Sequence, residues 1–79
     1  MSSTFVVEEA GCESCAALVR EALEPLGAVE SVEVDEVADV AFVHLASPAS
    51  EPDVNKALAD VSASAGHAYR VRPGSWRAA

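Results

Sequence analysis

The sequence predicts an α+β domain in which four antiparallel strands carry two helices on one face. Two amphipathic helical patterns, four strand-like stretches and their order along the chain lead to this prediction. A strand–helix–strand unit that occurs twice in succession is the split arrangement of the ferredoxin-like fold. With 79 residues the chain forms one small domain. We place this domain at residues 1–73 and expect residues 74–79 to be a loose tail.

The first half of the chain contains a strand and a helix. In the stretch STFVVEE at 3–9, Phe5 and Val7 fall on one face of the predicted strand. Pro25 and Gly27 then end the predicted helix. The apolar residues that show helical spacing are Ala16, Val19, Ala22, Leu23 and Leu26.

The second half contains a hairpin, a helix and a short strand. Two alternating stretches at 28–46 predict the hairpin, with the turn at DEVAD, 35–39. Ser50 followed by Asp53 resembles a capping box at the start of the second helix, and Gly66 suits its end. The stretch HAYRVRP at 67–73 predicts the last strand.

Charge and hydropathy exclude several classes of protein. The chain has 13 acidic and 5 basic residues, a net charge of −8, which argues against nucleic-acid binding and suits cationic ions or basic partner surfaces. No run approaches the roughly 18 apolar residues of a membrane span, and no signal peptide is visible. We therefore expect a cytoplasmic protein without membrane insertion.

The two cysteines, Cys12 and Cys15, lie three positions apart at the front of the first helix. They could form a redox pair, a disulfide staple, half of a zinc site or a complete metal site. The reducing cytosol favours metal binding or catalysis over a structural disulfide, and so short a loop constrains the unfolded chain little. The positive end of a helix favours thiolates, which suit Cu(I). A structural zinc site normally has four protein ligands.

The stretch from Gly11 to Leu23 resembles the heavy-metal-associated domain family, which includes small copper chaperones and modules of metal-transporting ATPases. The family has a loop Gly-Met-Thr-Cys-x-x-Cys before a helix with Val and Ala-Leu at set offsets. This chain has EAGCESC at 9–15, then Val19 and Ala22-Leu23. Further matches are GAVESVEVD at 27–35, AFV at 41–43 and SAGHAY at 64–69. The resemblance covers residues 4–72, but Glu9 and Ala10 replace the family's Gly and Met.

The resemblance implies a function as well as a fold. It implies a cytoplasmic Cu(I) chaperone that binds metal with Cys12 and Cys15 and passes it by thiolate exchange to a metal-transporting P-type ATPase or similar acceptor. The protein would be a monomer, with a metal-bridged dimer as an alternative, and not an enzyme. Zn(II) or another soft metal is the alternative cargo. Since the family's Met supports the metal loop, Ala10 should support that loop less well.

Four single residues have competing interpretations. His67 follows Gly66 where bacterial members tend to have Tyr, so it is a candidate third metal ligand or thiolate neighbour; otherwise it is an ordinary loop residue. Glu13 either interacts with the helix dipole, the simpler interpretation, or supplies an oxygen ligand to a harder ion. His44 should point to the outer sheet face rather than bind metal. Trp76 is either a loose aromatic or a cover for that face.

Two rival functions remain open at this stage. A thiol–disulfide oxidoreductase also has Cys-x-x-Cys at a helix start, but this chain is short for that fold, its element order differs, and it has no Trp-Cys-Gly-Pro-Cys signature. The other rival is an interaction module that keeps the fold without binding metal.

Overall fold

Two helices pack on one face of an antiparallel sheet in the computed structural model, which describes residues 2–78. The ferredoxin-like fold is therefore confirmed, with the sheet in the order β2-β3-β1-β4 and a short fifth strand that pairs with β1. No helix within the described residues is long and apolar enough to cross a bilayer. The elements are β1 (Ser3–Glu8), α1 (Glu13–Leu23), a 3-10 turn (Glu24–Leu26), β2 (Val29–Asp35), β3 (Val40–Leu45), α2 (Glu51–Ala65), β4 (Arg70–Val71) and β5 (Arg77–Ala78).

The strand register buries one face of the sheet, as the alternation predicts. Phe5 pairs with Val43 and Val7 with Ala41, so their side chains share the face under the helices. Phe42 alternates with these residues and remains 46% exposed. The core continues into the helices through Val19, Leu23, Val54 and Leu58, all of them fully buried. The apolar stripes of both helices therefore face the sheet.

The helix ends follow from capping chemistry. Ser50 Oγ accepts the Asp53 N–H at 3.3 Å, and Gly66 ends α2 with φ 74°, a left-handed conformation that glycine adopts freely. Helix α1 ends at Leu23, before the end that Pro25 and Gly27 predict, and Pro25 lies in the following 3-10 turn. Proline has no N–H to donate within an α-helix, which explains the change.

The expectation of a loose tail is wrong for residues 74–78; Ala79 lies outside the described residues. After β4 the chain turns through Pro73 and Gly74, and β5 then pairs with Ser3 and Thr4 of β1. Trp76 stacks on Phe5, with ring centroids 4.8 Å apart and planes 6° apart. The reason is that β4 pairs with β1 only at Val7 and Glu8, which leaves the start of β1 free to accept another strand.

Candidate metal centre

The cysteine loop, residues 9–12, joins β1 to α1 at one end of the sheet. Glu8, the last residue of β1, pairs with Val40 on one side and with Arg70 on the other. The loop therefore lies at the same sheet end as the β2–β3 turn and the α2–β4 loop, which contains His67. The topology brings together the three segments in which candidate functional residues were found.

Cys12 is the N-cap residue of α1. Its backbone is extended, at φ −136° and ψ 161°, and its Sγ accepts the Cys15 N–H at 3.2 Å. The Ser14 hydroxyl lies 3.4 Å from the same sulfur. Glu13 is exposed in the first turn, as its simplest interpretation requires. The Cys12 sulfur therefore occupies the place that a Ser or Asp oxygen takes in other helices, where N–H groups stabilise negative charge.

The two sulfurs are joined as a disulfide in this structure, with the Cα atoms of Cys12 and Cys15 5.1 Å apart. The sequence disfavours such a bond as a structural staple and predicts free thiols, so the disulfide differs from the prediction. The bond closes across only two intervening residues, so it still constrains the unfolded chain little. Its presence means that both sulfurs reach one point in space, as shared binding of an ion requires, and that thiolate chemistry first needs reduction.

The two cysteines differ in exposure. Cys15 is 3% exposed and belongs to the core cluster, whereas Cys12 is partly buried and lies at the rim of the loop. An incoming ligand would therefore reach the pair from the Cys12 side. Metal binding by either residue stays a prediction, taken up under the proposed function.

The backbone of the cysteine loop is tightly packed despite the small side chain of Ala10. Ala10 is fully buried, with 0% of its surface exposed, and the neighbouring Gly11 is buried as well. The Gly11 N–H donates to Asp39 Oδ1 at 3.1 Å, and a Cβ on Gly11 would lie 2.9 Å from the Asp35 carbonyl oxygen. The loop is thus supported by the β2–β3 turn. Asp39 was not among the residues predicted to be functional; the glycine before Cys12 is the one sequence signal of a close backbone approach at this place.

Glu9 adopts a left-handed conformation, with φ 61°. Such a backbone costs an L-residue with a side chain about 1–2 kcal/mol, so glycine suits this position better. We expect Glu9→Gly to raise the free energy of unfolding by about 0.5–1 kcal/mol, since greater unfolded-state freedom offsets part of the relieved strain. Urea unfolding measures the change. Glu21→Gly, at an exposed position inside the right-handed helix α1, is the control and should lower the free energy of unfolding by about 0.5–1 kcal/mol. A similar loss for Glu9→Gly would refute the assignment of strain.

His67 is exposed and stacks on Tyr69, with ring centroids 5.5 Å apart and planes 13° apart. Within residues 2–78 no group of three His, Cys, Asp or Glu side chains could hold a metal ion. A three-ligand site of Cys12, Cys15 and His67 is thus not assembled in this conformation. The role of His67 stays a prediction that requires movement of its loop or an indirect contact.

Tyr69 is a residue that the sequence analysis passed over. It is 3% exposed, and its hydroxyl is buried without a hydrogen-bond partner in the described part of the chain. Burial, followed by the negative charge of Asp39, raises the pKa of Tyr69 above its usual value. The hydroxyl therefore remains neutral and lies within electrostatic range of the Asp39 carboxylate that holds the cysteine loop.

Two arginines fix the end of β1, immediately before the cysteine loop. Glu8 Oε1 accepts from Arg70 Nε at 2.8 Å, and Arg72 Nε lies 3.6 Å from Glu8 Oε2. The Arg70 hydrogen bond is the main cause that lowers the pKa of Glu8, and Arg72 adds to it. Since these side chains are partly to largely exposed, the interaction serves mainly to align β4 with β1.

His44 lies on the outer sheet face, as predicted, and Nδ1 is 3.1 Å from Glu30 Oε2. A shallow depression on this face is lined by residues that include Val6, Phe42 and His44. Trp76 neither lies free nor covers this outer face, because it stacks on Phe5, whose side chain is on the face under the helices. His44 pairs with Thr4 near the start of β1, whereas the cysteine loop follows the end of this strand.

Comparison with known proteins agrees with this geometry. Three solved structures share the fold. Oxidized MerP from Ralstonia metallidurans CH34 is 24% identical, with a TM-score of 0.60 over 91% of this chain and 99% of that chain. A structure from work on crosstalk between Cu(I) and Zn(II) homeostasis is 22% identical, with a TM-score of 0.59 over 87% of this chain and 97% of that chain. Heavy metal binding protein TM0320 from Thermotoga maritima is 24% identical, with a TM-score of 0.57 over the whole of both chains. No curated protein sequence matches the chain significantly.

A family model gives the assignment that these distant structures cannot give alone. The model of the heavy-metal-associated domain matches residues 4–67, which include all of β1 except Ser3, the cysteine loop, both helices and the hairpin. The match covers far more than half of the chain and contains the cysteine pair. The chain therefore belongs to the heavy-metal-associated domain family.

Proposed function

We propose that the chain is a Cu(I) chaperone that binds one ion between the thiolates of Cys12 and Cys15. Its family supports the binding of heavy metals. The observation that carries the finer proposal is the meeting of both sulfurs at the N-terminus of α1. Two soft sulfur ligands without a third protein ligand suit Cu(I) better than Zn(II), which prefers four ligands.

Binding begins with reduction of the disulfide. Two thiols of a glutathione-like reductant supply two electrons and two protons, and the reductant leaves as its own disulfide. The Cys12 and Cys15 thiols then lose their protons as the metal binds. The N–H groups at the start of α1 favour this negative charge; one of them, on Cys15, already donates to Cys12 Sγ.

Transfer follows from the unequal exposure of the two sulfurs. A thiolate of the acceptor approaches from the side of Cys12, which is more accessible than Cys15. The ion passes through a three-coordinate state and leaves Cys12 first, without release into water. We propose a metal-transporting P-type ATPase or a similar protein as the acceptor, a cytoplasmic location, and a monomer that can also form a metal-bridged dimer. No catalytic role is proposed.

The negative charge of the chain supports an acceptor whose docking surface is basic. The chain has a net charge of −8, and exposed acidic residues lie in or beside the cysteine loop and the β2–β3 turn, namely Glu9, Glu13, Glu36 and Asp39. Charge complementarity of this kind speeds the encounter with the acceptor, and this increase in association rate becomes smaller as the salt concentration rises.

We propose His67 as a neighbour of the bound metal, either as third ligand or through the thiolates. Its loop ends at Arg70, which pairs with Glu8 next to the cysteine loop. The exposed imidazole can leave its stack on Tyr69 at small cost. Zn(II) should benefit from this nitrogen more than Cu(I) does, because zinc needs further ligands.

The experiment is a titration with Cu(I) against a chelator, on reduced and on disulfide-bonded protein. We expect one equivalent bound by the reduced monomer and none by the disulfide form. His67→Ala should weaken Zn(II) binding more than Cu(I) binding, and His44→Ala, on the outer face, should change neither. Absence of Cu(I) binding by the reduced protein would refute the function, and equal effects of both histidine variants would remove His67 from the site.

The disulfide itself favours a second candidate, a thiol–disulfide oxidoreductase with Cys12 as the attacking thiol. Membership of the heavy-metal-associated family weighs against this activity. An insulin-reduction assay discriminates the two functions. Turnover in that assay together with no Cu(I) binding would favour the oxidoreductase.

A further inference from the structure

The junction between the cysteine loop and the β2–β3 turn has unusual backbone geometry. Among the described residues, only Glu9 and Asp39 have positive φ without being glycine, at 61° and 56°. Asp39 Oδ1 accepts the Gly11 N–H across 28 positions of sequence, and Glu9 lies two residues before Gly11. Local strain of this kind persists where surrounding contacts enforce it, often at functional sites.

Gly11 has no room for a side chain. A Cβ there would collide with the Asp39 backbone and lie 2.9 Å from the Asp35 carbonyl oxygen. A residue with its own carboxylate is therefore excluded from the position before Cys12. The carboxylate beside the loop comes instead from Asp39, on another segment of the chain.

The β2–β3 turn provides a fixed anchor for this contact. Asp35 Oδ1 accepts the N–H groups of Val37 and Ala38, each at 3.1 Å, which closes the turn. Val40, directly after Asp39, pairs with both Asp35 and Glu8 in the sheet. The Asp39 carboxylate is thereby tied to the same strands that define the end of the sheet.

The cysteine loop is consequently held on both sides of Cys12. Asp39 holds the Gly11 N–H, and the Cys12 carbonyl oxygen accepts the Ala16 N–H at 2.9 Å. These two hydrogen bonds restrain the backbone on both sides of Cys12 without any contribution from the disulfide or from a bound ion. Such preorganisation increases affinity because ordering of the loop is not required on binding.

We propose that Asp39 is a positioning residue for the metal site and acts through its hydrogen bond to Gly11. In this role Asp39 does not coordinate the ion, because its Oδ1 accepts the Gly11 N–H of the cysteine loop. The effect on metal affinity rests on the proposed function, whereas the effect on the loop does not.

Two substitutions separate the effect of the hydrogen bond from the effects of the Asp39 charge and of its backbone strain. Asp39→Asn keeps an acceptor oxygen and tolerates the left-handed backbone, but removes the charge. Asp39→Gly removes the acceptor and relieves the positive φ, so a loss in this variant does not arise from strain. Glu36→Gln removes a charge from the same turn and serves as the control, because the side-chain hydrogen bonds of this turn in the described structure come from Asp35 and Asp39.

The readouts are amide hydrogen exchange at Gly11 in the reduced, metal-free protein and Cu(I) affinity against a chelator. For Asp39→Gly we expect exchange at Gly11 to become about two- to tenfold faster, from loss of one hydrogen bond, with exchange at the core residue Val43 unchanged. Cu(I) affinity should fall about tenfold, the lower range for loss of an outer contact. Asp39→Asn and Glu36→Gln should remain within about twofold of wild type in both measurements.

Unchanged exchange at Gly11 in Asp39→Gly would overturn the proposal. So would an equal loss of affinity in Asp39→Asn, which would assign the effect to charge. If the wild-type protein bound no Cu(I), the proposed function would fail, and the exchange measurement alone would decide whether Asp39 holds the loop.

Discussion

The double variant Cys12→Ser, Cys15→Ser is expected to lose stoichiometric Cu(I) binding. Both sulfurs meet at one point at the start of α1, and hydroxyl oxygens are poor ligands for a soft ion. The loss should exceed the roughly 10- to 100-fold that removal of an outer contact typically costs. Competition with a Cu(I) chelator, under reducing conditions, measures the affinity.

The single variants provide the internal control. Cys12→Ser and Cys15→Ser should each lose most of the affinity, because one thiolate cannot hold the ion alone. Far-ultraviolet circular dichroism should show an unchanged fold for Cys12→Ser, since serine is itself a favourable N-cap residue. Stoichiometric binding that survives in the double variant would show that the metal lies elsewhere.

The variant Leu58→Ala is expected to lower the free energy of unfolding by about 2–5 kcal/mol. Leu58 is fully buried in the core between α2 and the sheet. For a domain of 79 residues, this is a large part of the total stability. Urea unfolding of the metal-free protein measures the change, and the wild-type transition should be cooperative without metal, because the core rather than the ion supplies stability.

Lys56→Ala is the matched control in the same helix. The Lys56 side chain is 81% exposed, and its only ion pair, with Asp60 at 4.0 Å, is weak in the described structure. Its stability should change by no more than about 0.5 kcal/mol. A metal-free wild-type protein that shows no unfolding transition would contradict the view that the metal site is an appendage to an independently stable fold.

Most of the fold could be predicted because its determinants are local. The alternation of Phe5 and Val7, and the helical spacing of Val19 and Leu23, are periodic patterns that burial enforces. Ser50 and Gly66 mark the ends of α2 through contacts within a few residues. Membership of the family was likewise visible in the cysteine loop and the residues that follow it.

The rest depended on contacts between distant segments. The hydrogen bond from Gly11 to Asp39 spans 28 positions, and no periodicity indicates it. The pairing of β5 with the start of β1 depends on how short β4 is, which the residues of the tail do not reveal. The disulfide between Cys12 and Cys15 depends on the redox state, since one sequence is compatible with free thiols, a disulfide or bound metal.

X-ray absorption spectroscopy of the reduced protein loaded with one equivalent of Cu(I) tests the central claim most directly. For the monomer we expect two sulfur atoms, from Cys12 and Cys15, in the first coordination shell of each copper ion. A nitrogen from His67 in addition would agree with its proposed role. A shell of nitrogen and oxygen alone, or a single sulfur per copper, would contradict the claim that this cysteine pair is the metal site.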